Sequence, residues 1–364
     1  MAPIINQYFP GLEKIPWTCL GEYPTGIEKL ENMGEARGFS NLYIKRDDLA
    51  NPVYGGNKVR KLEYVLADAR EKGKKTLITL GAAGSNQVLA TGIFGKELDF
   101  DVVGVMMDQP NAEYVRKNLL LDQYYDVNLV YTKDTLTEIA TFAVEYLILL
   151  LSGSRPYFIT IGASSEIGNM GFVNAAYELK EQVDNGAPEP EYIIVACGSI
   201  GTSAGLNLGC KLAGLRTKVI GVRVAMPWLV TKWRMKRMIR DLNQFMQKHD
   251  SSVPLVDVRD DDLILLEDYL GEDYACFTEC GCGCVDDMMR LENIPLEHTY
   301  TGKALGGGLD WLRKKDETDA TILFWNTYNS RDLTEKAATI DYKTLPKEFH
   351  KYFTEPLQEE TREG

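Results

Sequence analysis

Lys58 stands directly after two glycines and an asparagine, in the segment Gly55-Gly56-Asn57-Lys58, at the start of a stretch with helical spacing. A charged lysine at a helix N-terminus is disfavoured by the helix dipole, whereas a neutral or imine-bonded lysine avoids that penalty. Lys58 is therefore a candidate for covalent chemistry. An exposed lysine at a helix start is the simpler interpretation of the same residues, and the segment alone does not exclude it.

A second segment, Gly198-Ser199-Ile200-Gly201-Thr202, has the composition of a phosphate-binding loop between a predicted strand and a predicted helix. Its glycines let the backbone approach a ligand closely, and its hydroxyls and N–H groups lie at the positive end of a helix. It lacks the ending of a nucleotide P-loop and does not fit the dinucleotide-binding pattern. The segment favours a phosphate cradle, and a tight strand-to-helix turn is the alternative.

Three shorter segments place polar side chains where predicted strands end or helices begin, which is where parallel sheets bind their ligands. Ser85-Asn86-Gln87 opens a helix after a strand, and Tyr300 stands just before another helix. Thr327 ends the last predicted strand. Helix capping by serine and asparagine, or a structural threonine, explains each segment equally well when it is taken alone.

The elements that must position these residues alternate between short apolar strands and helices. Strands are predicted at 42–45, 76–80, 102–107, 128–131, 158–161, 192–196, 218–224 and 321–325, and helices at 59–70, 86–97, 112–121, 136–151, 169–184 and 203–213. Strands this apolar are buried on both faces, so the alternation predicts an α/β fold with parallel sheets and right-handed crossovers. The Pro/Gly-rich segment 185–191 predicts a boundary between two lobes.

Bulk composition narrows the class of protein. The 364 residues suit one large domain or two lobes, and a hydrophobic fraction of 45% is ordinary for a globular chain. A net charge of −13 disfavours nucleic acid and anionic lipid surfaces as partners. The most apolar stretch, 142–151, is interrupted by Glu145 and is too short to span a bilayer, so it predicts a buried helix.

Seven cysteines, an odd number without an export signal, predict reduced thiols and a cytoplasmic location. Four of them lie in the segment Cys276-x3-Cys280-Gly-Cys282-Gly-Cys284. Its one-residue gaps do not match zinc-site spacing and no histidine lies beside it, so no metal site is predicted. The segment instead predicts a turn that leads into a helix starting near Val285.

Taken together and in this order, these segments resemble the fold-type II pyridoxal phosphate (PLP) enzymes related to the tryptophan synthase beta chain. Within that group they are similar to the D-cysteine desulfhydrase and 1-aminocyclopropane-1-carboxylate (ACC) deaminase family, from about Pro24 to Thr327. The resemblance is carried by Lys45-Arg46-Asp47-Asp48, Gly55-Gly56-Asn57-Lys58-x-Arg60-Lys61-Leu62-Glu63, Ser85-Asn86 and Tyr300-Thr301-Gly302-Lys303-Ala304.

The resemblance implies cofactor-binding roles for the matching residues. Lys58 would bind pyridoxal 5'-phosphate as a Schiff base, and Asn86 would donate a hydrogen bond to its phenolic oxygen. The loop of Gly198, Ser199, Ile200, Gly201 and Thr202 would hold its phosphate. Thr327 would face its pyridine nitrogen.

The resemblance also implies roles toward a small amino-acid substrate. Ser85, Asn86 and Gln87 would bind the substrate carboxylate. Tyr274 and Tyr300 would stand beside the substrate, so that Lys58, Ser85 and the two tyrosines form the catalytic set. Leu89 stands where the family has an arginine, which weakens the case for a strongly anionic substrate side chain.

The fold implied by the resemblance is a two-lobed, three-layer parallel-sheet α/β fold. Residues 1–59 and 181–364 would form the larger PLP-binding lobe, and residues 60–180 a smaller lobe that closes over the substrate. The resemblance further implies a homodimer.

The activity implied by the resemblance is β-elimination from D-cysteine or a similar β-substituted amino acid, which gives pyruvate, ammonia and sulfide. Thr301 and Thr327 resemble the desulfhydrases, whereas Gln87 resembles the ACC deaminases. ACC deamination, which gives 2-oxobutanoate and ammonia, is therefore the alternative. A PLP-binding protein without turnover is a further alternative, from another class.

Overall fold

The structure, a computed structural model, describes residues 2–359, which form two sheets covered by helices. The strands are β1 (Ile27–Lys29), β2 (Leu42–Lys45), β3 (Thr76–Ala82), β4 (Asp101–Met107), β5 (Asn128–Thr132), β6 (Pro156–Ile159), β7 (Tyr192–Cys197), β8 (Lys218–Arg223), β9 (Ile264–Leu266) and β10 (Ile322–Trp325). The α-helices are α1 (Ile5–Tyr8), α2 (Glu31–Arg37), α3 (Asn57–Glu71), α4 (Asn86–Glu97), α5 (Glu113–Tyr124), α6 (Thr135–Leu151), α7 (Glu166–Asp184), α8 (Gly201–Leu212), α9 (Lys232–His249), α10 (Glu279–Asp287), α11 (Thr301–Lys314), α12 (Thr334–Ala338) and α13 (Lys351–Thr354).

The larger sheet has six strands in the order β1-β2-β10-β7-β8-β9, and all of its neighbouring strands are parallel apart from the antiparallel pair β1 and β2. The smaller sheet has four parallel strands in the order β5-β4-β3-β6. Parallel neighbours need crossover connections, and helices supply them here. The α/β fold with parallel sheets that the sequence predicts is confirmed.

Elements without a predicted counterpart include the edge strands β1 and β9 of the larger sheet and the 18-residue helix α9 that packs over it. Four buried apolar residues of α9, Met235, Ile239, Leu242 and Met246, recur at intervals of four, three and four, which is the spacing of an amphipathic helix.

The prediction that residues 142–151 form a buried helix is wrong about burial. One stripe of α6 packs on the smaller sheet through Phe142, Tyr146 and Leu149, whereas Ile148 is 52% exposed and Leu151 is 81% exposed. A helix on the outer side of a sheet buries only one stripe, so a helix that is apolar all round leaves the rest uncovered. Within residues 2–359 no helix has the length and hydropathy to cross a membrane.

The cysteine-rich segment is helical from Glu279, so the predicted turn with a helix starting near Val285 is wrong. Thr278 caps α10 by accepting the Gly281 N–H at 3.3 Å. Glycines let α10 and α11 approach closely, because a Cβ at Gly306 would lie 2.5 Å from Cys280 Sγ. This packing overrides the low helix propensity of glycine. Among residues 2–359 no group of three or more histidine, cysteine or acidic side chains is arranged to hold a metal ion.

Candidate active site

A cavity lies between the two sheets and is lined by residues from both. Residues at the carboxyl ends of β3, β4, β7, β8 and β10 contribute to its wall, which is where parallel sheets bind ligands. Eleven of the predicted site residues line it: Lys58, Ser85, Asn86, Gln87, Gly198, Ser199, Ile200, Thr202, Tyr274, Tyr300 and Thr327. The remaining one, Gly201, lies directly behind this wall.

The two glycines before Lys58 are required because the chain passes between two carbonyl groups. A Cβ at Gly55 would lie 1.9 Å from the carbonyl oxygen of Asp48. Gly56 has a φ of 91°, and a Cβ there would lie 2.7 Å from the carbonyl oxygen of Thr327. Larger residues would therefore displace the start of α3, and with it Lys58.

Lys58 projects from the first turn of α3 into the cavity and is partly accessible through it. Its Nζ donates a hydrogen bond to Asn57 Oδ1 at 2.9 Å. The surrounding protein lowers the pKa of Lys58 to about 8 by burial, against the opposing charge of Glu297. A lowered pKa increases the neutral fraction of the amine, which is the form that attacks a carbonyl group.

The three other lysines of these motifs do not line the cavity. Lys45 Nζ donates to the Glu178 carboxylate at 2.6 Å. Lys303 Nζ donates to the Leu270 carbonyl at 2.5 Å. Lys61 is fully buried. Of these four lysines, only Lys58 is among the described residues that line the cavity.

A buried ion network fixes helix α3 to the larger sheet. Arg60 donates to both Asp47 oxygens, at 2.7 and 2.8 Å, and to Glu178 at 2.9 Å. The Trp325 indole also donates to Asp47, at 2.7 Å. The Lys45-to-Asp48 motif therefore holds the helix that carries Lys58, and its residues do not enter the cavity.

The loop at 198–202 turns sharply from β7 into α8. Ile200 has a φ of 70°, a left-handed conformation that costs about 1–3 kcal/mol in a residue other than glycine. Ser199 Oγ is hydrogen-bonded to Ser164 Oγ at 2.8 Å. The first N–H groups of α8 have no partner within the helix and carry its positive dipole end.

Gly201, Lys61 and Asn169 converge behind this loop. A Cβ at Gly201 would lie 2.2 Å from Asn169 Oδ1 and 2.7 Å from Lys61 Nζ. Both side-chain polar atoms of Asn169 are buried without a hydrogen-bond partner among the described residues. Burial, and then the charge of Lys58, lower the pKa of Lys61 well below its ordinary value. A phosphate group would accept a hydrogen bond from Asn169 Nδ2 and favour the charged form of the Lys61 amine, so these two donors fit the phosphate of PLP.

Sequence reasoning gave Lys61 no role. Its Nζ donates to the Gly162 carbonyl at 3.0 Å and to Ser164 Oγ at 2.9 Å, and Ser164 in turn contacts the loop through Ser199. The usable signal was spacing, because residues three apart share one face of a helix and Lys61 follows Lys58 by three.

The start of α4 supplies Ser85, Asn86 and Gln87 to the cavity. Ser85 Oγ accepts the Val88 N–H at 3.3 Å, so Ser85 is a helix cap as well as a lining residue. Asn86 Oδ1 accepts hydrogen bonds from Tyr54 at 3.3 Å and from Asn118 at 3.1 Å. These bonds orient the amide and leave its Nδ2 to donate, which fits the predicted role toward a phenolic oxygen.

Gln87 is buried, and its side chain is turned along α4. Its Nε2 donates to Thr91 Oγ1 at 2.9 Å, and its Oε1 has no partner among the described residues. One of the two N–H groups that the predicted carboxylate-binding role would use is therefore engaged with Thr91.

Tyr274 and Tyr300 are hydrogen-bonded to each other through their hydroxyl groups. Burial raises the pKa of Tyr300 well above its ordinary value, and burial with the charges of Glu297 and Glu138 raises the pKa of Tyr274 to about 12. Both hydroxyls are thus protonated at neutral pH, and the pair can act as an acid.

Glu297 is a cavity residue that sequence reasoning missed. Its carboxylate accepts the backbone N–H groups of Thr299, Tyr300 and Thr301 at 2.7–2.8 Å. Acidic residues favour helix N-termini, and Glu297 stands four residues before α11, so its position was a usable signal. Its contacts fix the backbone from which Tyr300 projects.

Two further parts of the wall were not predicted. The segment after β8 contributes Met226, Trp228 and Leu229 as an apolar side, and Trp228 is 57% exposed at its edge. Helix α6, which packs on the smaller sheet, contributes Glu138. Neither carries a motif that marks a site.

Comparison with known proteins agrees with this geometry. A family model described as "Pyridoxal-phosphate dependent enzyme" matches residues 18–327. A Pyrococcus furiosus protein named "Putative 1-aminocyclopropane-1-carboxylate deaminase" is 34% identical over 321 residues, which cover 88% of this chain and 92% of the relative. The D-cysteine desulfhydrase of Yersinia enterocolitica is also 34% identical, over 87% of this chain and 94% of its own length.

Solved structures show the same likeness. The crystal structure of an ACC deaminase homologue is 32% identical and superposes with a TM-score of 0.78, over 90% of this chain and 95% of that chain. O-acetyl serine sulfhydrylase isoform 3 from Entamoeba histolytica, at 14% identity and a TM-score of 0.57 over 93% of this chain and 92% of that chain, shares the fold alone. The predicted fold of the tryptophan synthase beta-like PLP type is confirmed.

Proposed function

This chain belongs to the pyridoxal-phosphate dependent enzyme family, and on that premise we propose that it catalyses β-elimination from D-cysteine or a similar β-substituted amino acid. The products would be pyruvate, ammonia and the leaving group, which is sulfide for cysteine. The observation that carries this proposal is that Lys58, the loop at 198–202 and the Tyr274–Tyr300 pair line one cavity.

In this proposal, bound PLP supplies an electron sink that stabilises negative charge at the substrate Cα. Lys58, whose pKa burial lowers to about 8, would hold the cofactor and would accept the Cα proton of the substrate. The loop at 198–202 with Lys61 would hold the phosphate, Asn86 would donate to the phenolic oxygen, and Thr327 would lie toward the ring nitrogen.

The substrate is oriented by the start of α4 and by the tyrosine pair. Ser85 and the N-terminus of α4 bind its carboxylate, with Asn86 and Gln87 alongside. The hydroxyl pair of Tyr274 and Tyr300 donates the proton that the departing group needs.

A keto-acid assay on both enantiomers of cysteine, on β-chloroalanine and on ACC tests the proposal. Pyruvate from a β-substituted amino acid supports β-elimination. 2-Oxobutanoate from ACC, with no product from the other compounds, would favour ACC deamination, the second candidate function. That candidate is supported by Gln87 on the cavity wall and by the relative named putative ACC deaminase. No keto acid from any compound by the PLP-loaded protein would contradict both.

We also propose that the smaller lobe, residues 60–180, closes over the substrate against the larger lobe, residues 1–59 and 181–364. The proposal is supported by two observations. The cavity lies between the two sheets, and all four strands of the smaller sheet lie within residues 60–180. Hydrogen exchange should slow around the loop that joins β3 to α4 when a substrate analogue binds. Unchanged exchange there on saturation would contradict closure.

A homodimer is proposed on the exposed apolar face of α6. This face comprises Leu136, Ile139, Val144, Leu147, Ile148, Leu150 and Leu151, each at least 49% exposed. Contiguous apolar surface on this scale usually marks an interface. Sedimentation velocity should show a dimer that Ile148→Glu dissociates and that Leu255→Glu, at an exposed leucine elsewhere, leaves intact. A monomeric wild type would contradict the proposal.

A cytoplasmic location is proposed from the cysteines. All seven have free thiols in the structure, and proteins of oxidising compartments usually pair theirs. Cell fractionation should find the protein with cytoplasmic markers, and recovery with an exported fraction would contradict this.

A further inference from the structure

Glu138 is an incompletely satisfied acid on the cavity wall. It lies in the first turn of α6 and is only 4% exposed. Its Oε1 accepts the Gly81 N–H at 3.2 Å, and no donor to its Oε2 is found among residues 2–359. Burial raises the pKa of Glu138 to about 7. A buried carboxyl with one weak partner is costly, and a cation beside it would lower that cost.

The cavity offers an excess of acidic groups. Lys58 is the single cation among its described lining residues, and the two carboxyls are Glu138 and Glu297. Glu297 is satisfied by three backbone N–H groups, so it needs no ligand. Leu89 is packed in the core and does not line the cavity.

This inference rests on the proposed function, in which the α-amino group and the carboxylate of the substrate already have partners. Its α-amino group takes the place of Lys58, and its carboxylate lies at the start of α4. The cavity-lining residues left for a substrate side chain include Glu138 of helix α6 and the Tyr274–Tyr300 pair.

We propose that Glu138 binds an amino group in the substrate side chain, so that the preferred substrates are small amino acids with a side-chain amine. For a β-amine, the Cα–H and Cβ–N bonds break, and the electron pair of the Cβ–N bond stays on nitrogen. Glu138 holds the departing nitrogen in its protonated form, so it leaves as ammonia. One water completes hydrolysis, and 2,3-diaminopropionate plus water gives pyruvate and two ammonia.

The test compares both enantiomers of 2,3-diaminopropionate with both enantiomers of cysteine and with ACC. The proteins are wild type, Glu138→Gln and the matched control Glu145→Gln, which removes a carboxylate from the same helix outside the cavity. Wild type should prefer 2,3-diaminopropionate. Glu138→Gln should raise the KM for 2,3-diaminopropionate by about tenfold or more relative to the KM for cysteine, and Glu145→Gln should leave that ratio unchanged.

The remaining outcomes either contradict the role of Glu138 or separate its failure from failure of the proposed function. An equal loss on every substrate in Glu138→Gln would mean a structural role, and product from cysteine or ACC but not from 2,3-diaminopropionate would reject this inference alone. If no compound gives a keto acid, the proposed function fails. Calorimetric binding of 2,3-diaminopropionate against alanine, in wild type and Glu138→Gln, then decides this inference. If Glu138→Gln does not fold, the wild-type preference decides.

Discussion

Lys58 and Thr202 are joined through a single side-chain amide. Asn57 Oδ1 accepts a hydrogen bond from Lys58 Nζ at 2.9 Å, and Asn57 Nδ2 donates to Thr202 Oγ1 at 3.0 Å. The lysine proposed to hold PLP is thereby kept at a fixed position relative to the loop proposed to hold its phosphate. Such supporting contacts decide whether a site keeps its productive geometry.

Replacing Lys61 should weaken PLP binding. Lys61→Met removes the buried amine beside the loop at 198–202, and the loss of one charge-assisted hydrogen bond is worth about 1.5–3 kcal/mol, or roughly ten- to a hundredfold in affinity. Fluorescence titration of the apoprotein with PLP measures it. Lys75→Met, at an exposed lysine, is the control. Equal affinities for the two variants would remove Lys61 from the phosphate site.

Covalent uptake of PLP by the apoprotein should accelerate with pH up to about 8 and then level off. Burial lowers the pKa of Lys58 to about 8 from an ordinary value of 10.5, and only the neutral amine attacks. Below pH 8 the rate should fall about tenfold per pH unit, because the neutral fraction does. Stopped-flow absorbance measures the rate, with Nα-acetyl-lysine as the control. A rising limb near 10.5 for the protein would show that Lys58 has an ordinary amine.

Removing one hydroxyl of the tyrosine pair should lower turnover without releasing PLP. Tyr274→Phe and Tyr300→Phe each remove a proton donor, and general acids contribute about 10²–10⁴-fold to rate. Keto-acid production by protein that retains cofactor absorbance is the measurement. Tyr192→Phe, whose hydroxyl contacts Glu317 outside the cavity, is the control. Full activity in both cavity variants would exclude the pair as the acid.

The network around Arg60 should dominate the stability of the wall that carries Lys58. Arg60→Met leaves Asp47 and Glu178 buried without their main partner, and breaking a buried ion pair from one side costs about 3–5 kcal/mol. The free energy of unfolding in urea measures this. Lys180→Met, which breaks an exposed pair with Asp184, should have little effect. A comparable loss in both variants would contradict the special role of the network.

Much of the fold and part of the site are readable from the sequence, for definable reasons. Alternating apolar strands and helices predict the parallel sheets, because periodicity reflects burial directly. Lys58 and the loop at 198–202 are recognisable because glycine at those positions relieves specific close contacts, such as that between Gly56 and the Thr327 carbonyl. The residues in these segments therefore line the cavity together.

The exposure of α6, the position of Glu138 and the start of α10 depend on how helices and strands pack together. Local sequence patterns do not reveal that packing. The apolar run of α6 predicts a helix, but whether a second layer covers Leu147 or Ile148 depends on its neighbours. Glu138 has no motif around it, and only the order of strands in the smaller sheet brings it to the cavity. The glycines between the cysteines of α10 suggested a turn, because the close approach of α11 could not be anticipated.

Borohydride reduction of the native protein, followed by proteolysis and mass spectrometry, tests most directly whether Lys58 holds the cofactor. The reduced pyridoxyl group should be found on the peptide that contains Lys58, and Lys58→Ala should carry no label. A label on Lys45, Lys61 or Lys303, or the absence of any label from protein that shows cofactor absorbance, would contradict the assignment of Lys58.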